Sequence, residues 1–181
     1  MGTPDSSEIP VQAGGVLPTV EEAYATHSGF VSSLALRVTG RREDVEDIVQ
    51  DVFIQAMNGW ASIQSRSSIK GWLATVTVRT ARRRLRRRRV KLFFGIDGSY
   101  NYETVGDQGA STAERALLSQ VYEALDAVPV DERLAWTLRH IEGETMKGVA
   151  AICGCSLSTA KRRVAVAQLT LEERLGVRRD R

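Results

Sequence analysis

The segment from Arg42 to Trp60, REDVEDIVQDVFIQAMNGW, constrains the fold more than any other part of the chain. Its apolar residues recur at intervals of three and four, a spacing that a helix gathers on one face and a strand distributes over two. The stripe comprises Val45, Ile48, Val49, Val52, Phe53 and Ala56. Since no segment alternates apolar and polar residues over a useful length, the sequence predicts an all-α fold.

The other face of this predicted helix is acidic and rich in glutamine. It carries Glu43, Asp44, Glu46, Asp47, Gln50, Asp51 and Gln55. Such a surface is either a solvated helix face or a docking surface for a partner. The residues alone leave both interpretations open.

The N-terminal residues 1–18 are rich in Ser, Pro and Gly and have few large apolar side chains, so they are predicted to form a disordered tail. Folded structure is expected to begin at Thr19, because Thr19 and Glu22 fit a capping box. Apolar residues then recur at helical spacing until Gly40, which suits the end of a helix.

A third helix is predicted from Trp72 in the segment WLATVTVRTARRRLRRRRV, which is apolar at first and then almost wholly Arg. Arg82 to Arg89 are expected to project into solvent or onto a polyanion. The chain as a whole has 25 Lys and Arg against 22 Asp and Glu, a net charge of only +3. The basic residues are therefore concentrated locally, as is typical of nucleic-acid-binding proteins.

Residues 95–111 are rich in Gly, Asp, Asn and Ser, lack a sustained helical period, and are predicted to be a flexible linker. A second capping box, Ser111 with Glu114, opens the next helix, and Pro129 separates that helix from another. The sequence therefore predicts two small helical domains joined by a linker.

The last part of the chain holds both cysteines in GVAAICGCSLSTAKRRVA. Cys153 and Cys155 cannot build a disulfide framework, and the sequence offers no further ligands near them for a zinc site, so no metal or cofactor is predicted. Two short helices around a turn at Gly154 fit a helix-turn-helix, in which the cysteines fill small apolar positions.

The second helix of this motif would read DNA in the major groove through its N-terminal part. Its candidate DNA-binding residues are Ser156, Ser158, Thr159, Lys161, Arg162 and Arg163. A solvated basic helix on an unrelated bundle would show the same composition. Two basic elements separated by a linker favour the DNA-binding interpretation.

These segments together resemble an extracytoplasmic-function sigma factor, the small two-domain class of bacterial RNA polymerase specificity subunits. EDVEDIVQDVFIQAM is similar to the polymerase-binding helix of that family, IKGWLATVTVRTARRRLRRRR to its melting and minus-ten-reading segment, and EGETMKGVAAICGCSLSTAKRRVAVAQ to its minus-thirty-five-reading helix-turn-helix. The resemblance implies sigma domain 2 at residues 19–94 and sigma domain 4 at residues 112–177.

The resemblance also implies roles for individual residues. Polymerase binding falls to Asp47, Gln50, Asp51 and Gln55, and minus-ten DNA binding to Ser65, Arg66, Ser67, Lys70, Arg79, Arg82, Arg83 and Arg86. Arg84 and Arg86 to Arg89 are further candidates for phosphate contacts. The family often has Asn and Asp where this chain has Arg79 and Arg83, so its base preference at the minus-ten element is expected to differ.

The implied partners are core RNA polymerase, promoter DNA and an inhibitory anti-sigma factor, and no catalytic residue is assigned. No apolar run approaches the roughly 18 residues that cross a bilayer, so we expect a cytoplasmic protein without membrane insertion. The alternatives are a stand-alone dimeric DNA-binding regulator, which leaves the acidic helix face unexplained, and an enzyme acting on nucleic acid, for which no metal cluster or nucleophile is visible.

Overall fold

The computed structural model describes residues 17–95 and 111–176, which form seven α-helices and no β-strand. The helices are α1 (Val20–Thr39), α2 (Val45–Gly59), α3 (Ile69–Phe93), α4 (Thr112–Ala127), α5 (Val130–His140), α6 (Met146–Cys153) and α7 (Leu157–Leu175). Single 3-10 turns lie at Arg42–Asp44, Trp60–Ser62 and Arg66–Ser68. The predicted all-α class is confirmed.

Both predicted capping boxes are present. The Thr19 hydroxyl accepts a hydrogen bond from the Glu22 amide while the Glu22 carboxylate accepts one from the Thr19 amide, and Ser111 and Glu114 repeat the arrangement at the start of α4. Each pair satisfies two amide donors that a helix N-terminus would otherwise leave without a partner. The starts of α1 and α4 therefore follow from local sequence.

Helices α1, α2 and α3 pack together as the N-terminal unit. The predicted stripe of α2 is buried in it, except that Val45 is only half-buried. Helix α3 begins at Ile69, three residues earlier than the predicted start at Trp72. The reason is that the Ile69 side chain is fully buried and anchors an extra first turn, in which Gly71 is tolerated.

The folded part of the chain includes the end of the predicted N-terminal tail. Leu17 packs against the core, Pro18 is buried, and the Trp60 indole N–H donates to the Pro18 carbonyl at 2.8 Å. Residues 1–16, which make up the rest of that predicted tail, lie outside the described residues, as do residues 96–110 of the predicted linker.

Helices α4 to α7 form the C-terminal unit, and this unit is docked onto the N-terminal one. Helix α3 lies against α5 and α6, and the end of α1 lies against α5. One buried apolar cluster continues from the N-terminal unit into α5, α6 and α7. The sequence predicts the two units but not their docking.

No helix within residues 17–95 and 111–176 combines the length and the apolar character required to cross a membrane.

Candidate nucleic-acid interface

Helices α6 and α7 form the predicted helix-turn-helix. Thr145 caps α6, its hydroxyl oxygen accepting from the Gly148 amide at 3.0 Å, and Ser156 caps α7, accepting from the Thr159 amide at 3.1 Å. Between them Gly154 adopts a left-handed conformation with φ of 65°, which closes α6 at little steric cost. The turn is thus fixed by two hydroxyl caps and one glycine.

The two cysteines pack in this motif. Cys153 is buried in the core cluster, and burial raises the pKa of its thiol to about 11. Cys155 is half-buried and packs against the same cluster. Within the described parts of the chain, no group of three or more His, Cys, Asp or Glu residues is arranged to hold a metal ion.

The exposed face of α7 carries half of the predicted recognition residues. Ser158, Lys161 and Arg162 are exposed near the N-terminus of the helix. Ser156 and Thr159 lie at the helix cap, their side-chain oxygens 2.8 Å apart. The remaining residue, Arg163, points back into the protein and pairs with Asp131 of α5 at 3.3 Å.

Lys147 extends this basic surface and was missed by the sequence analysis. It is exposed on the first turn of α6, the helix that precedes the turn of the motif. In a helix-turn-helix the first helix crosses the DNA backbone. A basic residue just after the N-cap of that helix was the signal that could have identified it.

The loop before α3 is pinned at both ends by buried isoleucines, Ile63 and Ile69. Between them Arg66 and Ser67 are exposed, while Ser65 is half-buried with its hydroxyl oxygen 3.0 Å from that of Ser67. The loop therefore presents a short polar surface from fixed anchor points.

Lys70 follows the loop in the first turn of α3. Its ammonium lies 4.8 Å from the centroid of the Phe30 ring on α1. This distance is within the range of a cation–π contact. The predicted DNA-binding residue thus lies beside the loop, and its charge faces an aromatic ring rather than a carboxylate.

Three arginines of α3 form an exposed row that we call the arginine stripe. Arg79, Arg83 and Arg87 are each four residues apart, so they follow one face of the helix at intervals of about 6 Å along its axis. None of the three makes an ion pair with a residue in the described parts of the chain. The stripe is available to a polyanion.

The other arginines of this run do not all project into solvent, so that prediction was wrong. Arg88 is buried and pairs with Asp126 of α4 at 3.4 Å, which removes it from the candidates for phosphate contact in this conformation. Arg82 is half-buried beside Asp131, and Arg86 pairs with the same carboxylate. The acidic partners lie on the C-terminal unit, far away in sequence.

The predicted polymerase-binding residues lie together on α2. Asp47, Gln50 and Asp51 are exposed, and Arg84 of α3 pairs with Asp47 at 3.1 Å and Asp51 at 3.5 Å. Gln55 is half-buried and donates to the Thr80 hydroxyl at 3.0 Å. Exposed ion pairs of this kind contribute about 0–1 kcal/mol. They can therefore be exchanged for a partner's charges with little loss of stability.

A groove of mixed apolar and polar lining next to this acidic face was not predicted. It has a volume of about 720 Å³, and its lining includes Tyr24, Glu46, Gln50, Phe53, Ile54 and Met57. Ile54 and Met57 are exposed to 49% and 70%, although both side chains are large and apolar. Exposed apolar side chains rimmed by polar ones are typical of protein interaction sites. The two apolar positions outside the buried stripe of α2 were the available signal.

Comparison with known proteins places these features in a family. The chain matches Sigma-70 region 2 over residues 23–90 and Sigma-70, region 4, over residues 118–167. It is 32% identical over 145 residues to the ECF RNA polymerase sigma factor EcfG of Rhodopseudomonas palustris, covering 80% of this chain and 78% of that protein. The chain belongs to the ECF RNA polymerase sigma factors.

Further relatives agree with this assignment. The sigma factor is 29% identical over 141 residues to the ECF RNA polymerase sigma-E factor of Escherichia coli K12, covering 73% of this chain and 74% of that one. It also matches the solved structure of the sigma factor RpoE from Bartonella quintana with the anti-sigma factor NepR, at a TM-score of 0.65 and 26% identity, over 89% of this chain and 98% of that one. As a sigma factor it is a DNA-binding protein of transcription initiation that acts with RNA polymerase.

Proposed function

We propose that this sigma factor binds core RNA polymerase through α2, reads a minus-ten element with α3 and the loop before it, reads a minus-thirty-five element with α7, and promotes promoter melting. The observation that carries the proposal is the separation of surfaces: one acidic and apolar face on α2 and two basic faces on different units. In this assignment sigma domain 2 spans residues 19–94 and sigma domain 4 spans residues 112–177.

The minus-thirty-five element is assigned to α7 because its exposed donors lie near the helix N-terminus. Ser158, Lys161 and Arg162 are exposed there, and the first turns of a recognition helix are the part that reaches base edges in the major groove. Lys147 on α6 is assigned to the phosphate backbone. The helix-turn-helix fixes the angle between α6 and α7, and therefore the position of Lys147 relative to the exposed donors of α7.

The minus-ten element is assigned to the arginine stripe and the loop before it. Arg79 and Arg83 stand where the family often has Asn and Asp, so this helix is expected to rely more on phosphates and less on bases. The loop offers Arg66 and the hydroxyl of Ser67 as exposed polar groups for an extruded base. This combination supports binding with a strong dependence on salt.

Such contacts can supply the free energy that local promoter melting requires, without a coupled chemical reaction. Opening one base step removes about 1.4 kcal/mol of stacking, and extruding one base takes a few kcal/mol. A small number of charge-assisted hydrogen bonds of about 1.5–3 kcal/mol each can offset that locally. No catalytic residue is needed for this role.

The polymerase is assigned to α2 because acidic and apolar groups adjoin there. Asp47, Gln50 and Asp51 supply the charge and amide groups, and Ile54 and Met57 supply apolar area beside them. A complementary basic and apolar surface would bury both at once. Since bacterial RNA polymerase works in the cytoplasm, the proposal places the protein there.

An anti-sigma factor is the remaining proposed partner. The structural neighbour from Bartonella quintana was solved in complex with the anti-sigma factor NepR, which supports an inhibitor of that kind for this chain. The exposed groove on α2 is a surface that such an inhibitor could share with the polymerase.

The decisive experiment is transcription in vitro with core polymerase on a library of random promoters. The proposal predicts that core polymerase alone initiates without preference, whereas added protein selects templates with two recurrent elements at a constant spacing. Enrichment of one palindromic element bound by a dimer, with no polymerase-dependent transcripts, would instead support a stand-alone regulator and contradict the proposal.

A further inference from the structure

Asp131, at the start of α5, is the hub of a cluster of three arginines. Its carboxylate oxygens lie 2.9 Å from Arg82 Nε, 3.0 Å from Arg86 Nη2 and 3.3 Å from Arg163 Nη2. Arg82 and Arg86 belong to α3 of the N-terminal unit, whereas Arg163 belongs to α7 of the C-terminal unit. One carboxylate therefore joins the two helices to which DNA binding is assigned.

All three arginines are among the predicted DNA contacts. Arg86 and Arg163 donate hydrogen bonds to Asp131 Oδ2, and a phosphate of DNA could accept from these donors in its place, whereas Arg82 Nε faces Oδ1 as an ion pair without a hydrogen bond. Arg82 also donates to the Cys153 carbonyl at 3.1 Å, which holds its side chain against α6. In this arrangement Asp131 neutralises arginine charges that a DNA phosphate would otherwise attract.

A second contact fixes the two units at the end of α1. The ring of Tyr122 on α4 lies directly over Gly40, so that a Cβ atom placed at Gly40 would come within 2.4 Å of Tyr122 Cδ1. The Tyr122 hydroxyl donates to the Arg37 carbonyl at 2.6 Å. Tyr122 is fully buried there. The packing contact between Tyr122 and Gly40 therefore exists only while the two units are docked.

A buried arginine strengthens the same junction. Arg133 of α5 donates to the Thr39 carbonyl at 2.7 Å and to Asp126 at 2.6 Å. Its side chain is almost fully buried. A buried charge is tolerated only when it is paired and hydrogen-bonded, so the docked arrangement satisfies groups that separation would have to rehydrate.

We propose that the docked arrangement is an autoinhibited state of this sigma factor, in which Asp131 withholds Arg82, Arg86 and Arg163 from DNA until the units separate. This inference rests on the proposed function, since it concerns the regulation of the same DNA-binding surfaces. The face of α2 with Asp47, Gln50 and Met57 stays exposed in this state. Polymerase can therefore dock first, and the DNA contacts of Arg82, Arg86 and Arg163 follow separation.

The first test wedges the units apart with Gly40→Asn. Asn is the residue next best suited to the left-handed conformation of Gly40, so the helix cap is retained while the new Cβ collides with Tyr122 in the docked state only. The matched control is Gly176→Asn. Gly176 is also left-handed, with φ of 65°, and a Cβ atom placed there would meet open space. Any cost of the substitution itself is common to both variants.

The second test removes the hub charge with Asp131→Asn. Its matched control is Glu132→Gln, the adjacent residue on α5, whose carboxylate makes no ion pair with the described residues. Both variants raise the net charge equally, so a difference between them reports on the hub. This pair keeps the inference testable even if Gly40→Asn proves too unstable to purify.

The measurements are small-angle scattering of the free protein and titration of a labelled random-sequence DNA duplex over a series of salt concentrations. We expect Gly40→Asn to have a larger radius of gyration than Gly176→Asn. We expect Gly40→Asn and Asp131→Asn to bind the duplex about tenfold more tightly than their controls at low salt. Their slopes of log affinity against log salt should be steeper by up to about 2.7, or about 0.9 for each released arginine.

Two results would overturn the inference. One is an expanded Gly40→Asn variant whose DNA affinity equals that of Gly176→Asn, and the other is an Asp131→Asn variant that binds no more tightly than Glu132→Gln. Neither readout involves polymerase. A protein that fails to direct transcription would contradict the proposed function, while these measurements would still decide whether docking limits access to the arginines.

Discussion

Cys153 and Cys155 lie one residue apart in sequence, yet their surroundings differ. Cys153 is buried beneath α7 and its thiol pKa is raised to about 11 by loss of solvent, whereas Cys155 reaches the surface of the turn. A neutral thiol is a small apolar group, and the raised pKa keeps it neutral over the physiological range. The close spacing of the two cysteines therefore reflects packing around a helix turn.

This burial predicts a particular dependence of stability on pH. The unfolded thiol ionises near pH 9 and the folded one near pH 11, so its stabilising effect is complete below pH 9 and is lost as the pH rises to 11. The free energy of unfolding of the wild type should then approach that of Cys153→Ala by about 1.4 kcal/mol per unit of pKa difference. Urea titrations at several pH values measure this, and a constant difference between the two proteins would refute it.

Asp126 explains why one arginine of α3 is buried, which the sequence alone did not indicate. In the run from Arg82 to Arg89 every basic residue looks alike, but Arg88 is buried because Asp126 of α4 lies opposite it. The same carboxylate holds the buried Arg133. Burial of Arg88 therefore depends on a residue in the other unit.

Removing this carboxylate should be strongly destabilising. Asp126→Ala leaves two buried guanidinium groups without their shared anion, and breaking a buried pair typically costs about 3–5 kcal/mol. Glu173→Ala, at an exposed position of α7, is the control and should change stability by less than about 0.5 kcal/mol. Equal midpoints of chemical unfolding for the two variants would show that Asp126 does not hold the buried arginines.

Helix α2 has two faces with different roles, and the sequence pattern identified only one fully. The buried stripe followed directly from spacing, because a helix places residues three and four apart on one side. The acidic face was recognised from composition, but the groove was not. Ile54 and Met57 of α2 could have signalled an exposed apolar patch, but the groove that they form with Tyr24 of α1 depends on how the two helices pack, which no local pattern specifies.

The groove supplies a prediction about polymerase binding. Met57→Asp places a charge in the apolar part of this surface, and we expect at least a tenfold loss of affinity for core polymerase, since a desolvated unpaired charge costs more than the roughly 1.4 kcal/mol that a factor of ten requires. Leu117→Asp on α4, an apolar position that is 60% exposed against 70% for Met57, is the control. Equal affinities measured by fluorescence anisotropy would show that the groove lies outside the interface.

The second prediction that concerns a single helix is about the arginine stripe on α3. Replacing Arg79, Arg83 and Arg87 with Gln should make the slope of log affinity against log salt shallower by up to about 2.7 for duplex DNA, or about 0.9 for each phosphate that the variant no longer neutralises. The charge control replaces three arginines that are exposed elsewhere, Arg42, Arg139 and Arg174, with Gln, so that both variants lose three charges. An unchanged slope in the triple variant would mean that the stripe does not touch phosphates.

For the whole molecule, the sequence predicted what local interactions determine. Both capping boxes, the turn at Gly154 and the stripe on α2 involve residues within four positions or one helix face, and they appear as expected except that Val45 of the stripe is only half-buried. The relation between the two units was not predictable in this way. It depends on contacts such as Arg82 with Asp131 and Tyr122 with Gly40, which join residues far apart in sequence.

The docking of the two units determines which basic residues are accessible to DNA, and it leaves the family assignment unaffected. Arg79, Arg83 and Arg87 remain exposed, while Arg82, Arg86 and Arg163 are held by one carboxylate. The same set of arginines thus divides into those available at once and those available after the units separate. The arginines that attract DNA therefore include the ones through which the proposed autoinhibition limits DNA binding.

The proposed function is tested most directly by binding of the fluorescently labelled full chain to core RNA polymerase that has been freed of other sigma factors. At moderate salt and without an inhibitor, we expect saturable binding at a ratio of one to one that is abolished by competition with an unlabelled sigma factor. Absence of association under these conditions, with a known sigma factor binding in parallel, would contradict the proposal that the face of α2 docks on the transcription machinery.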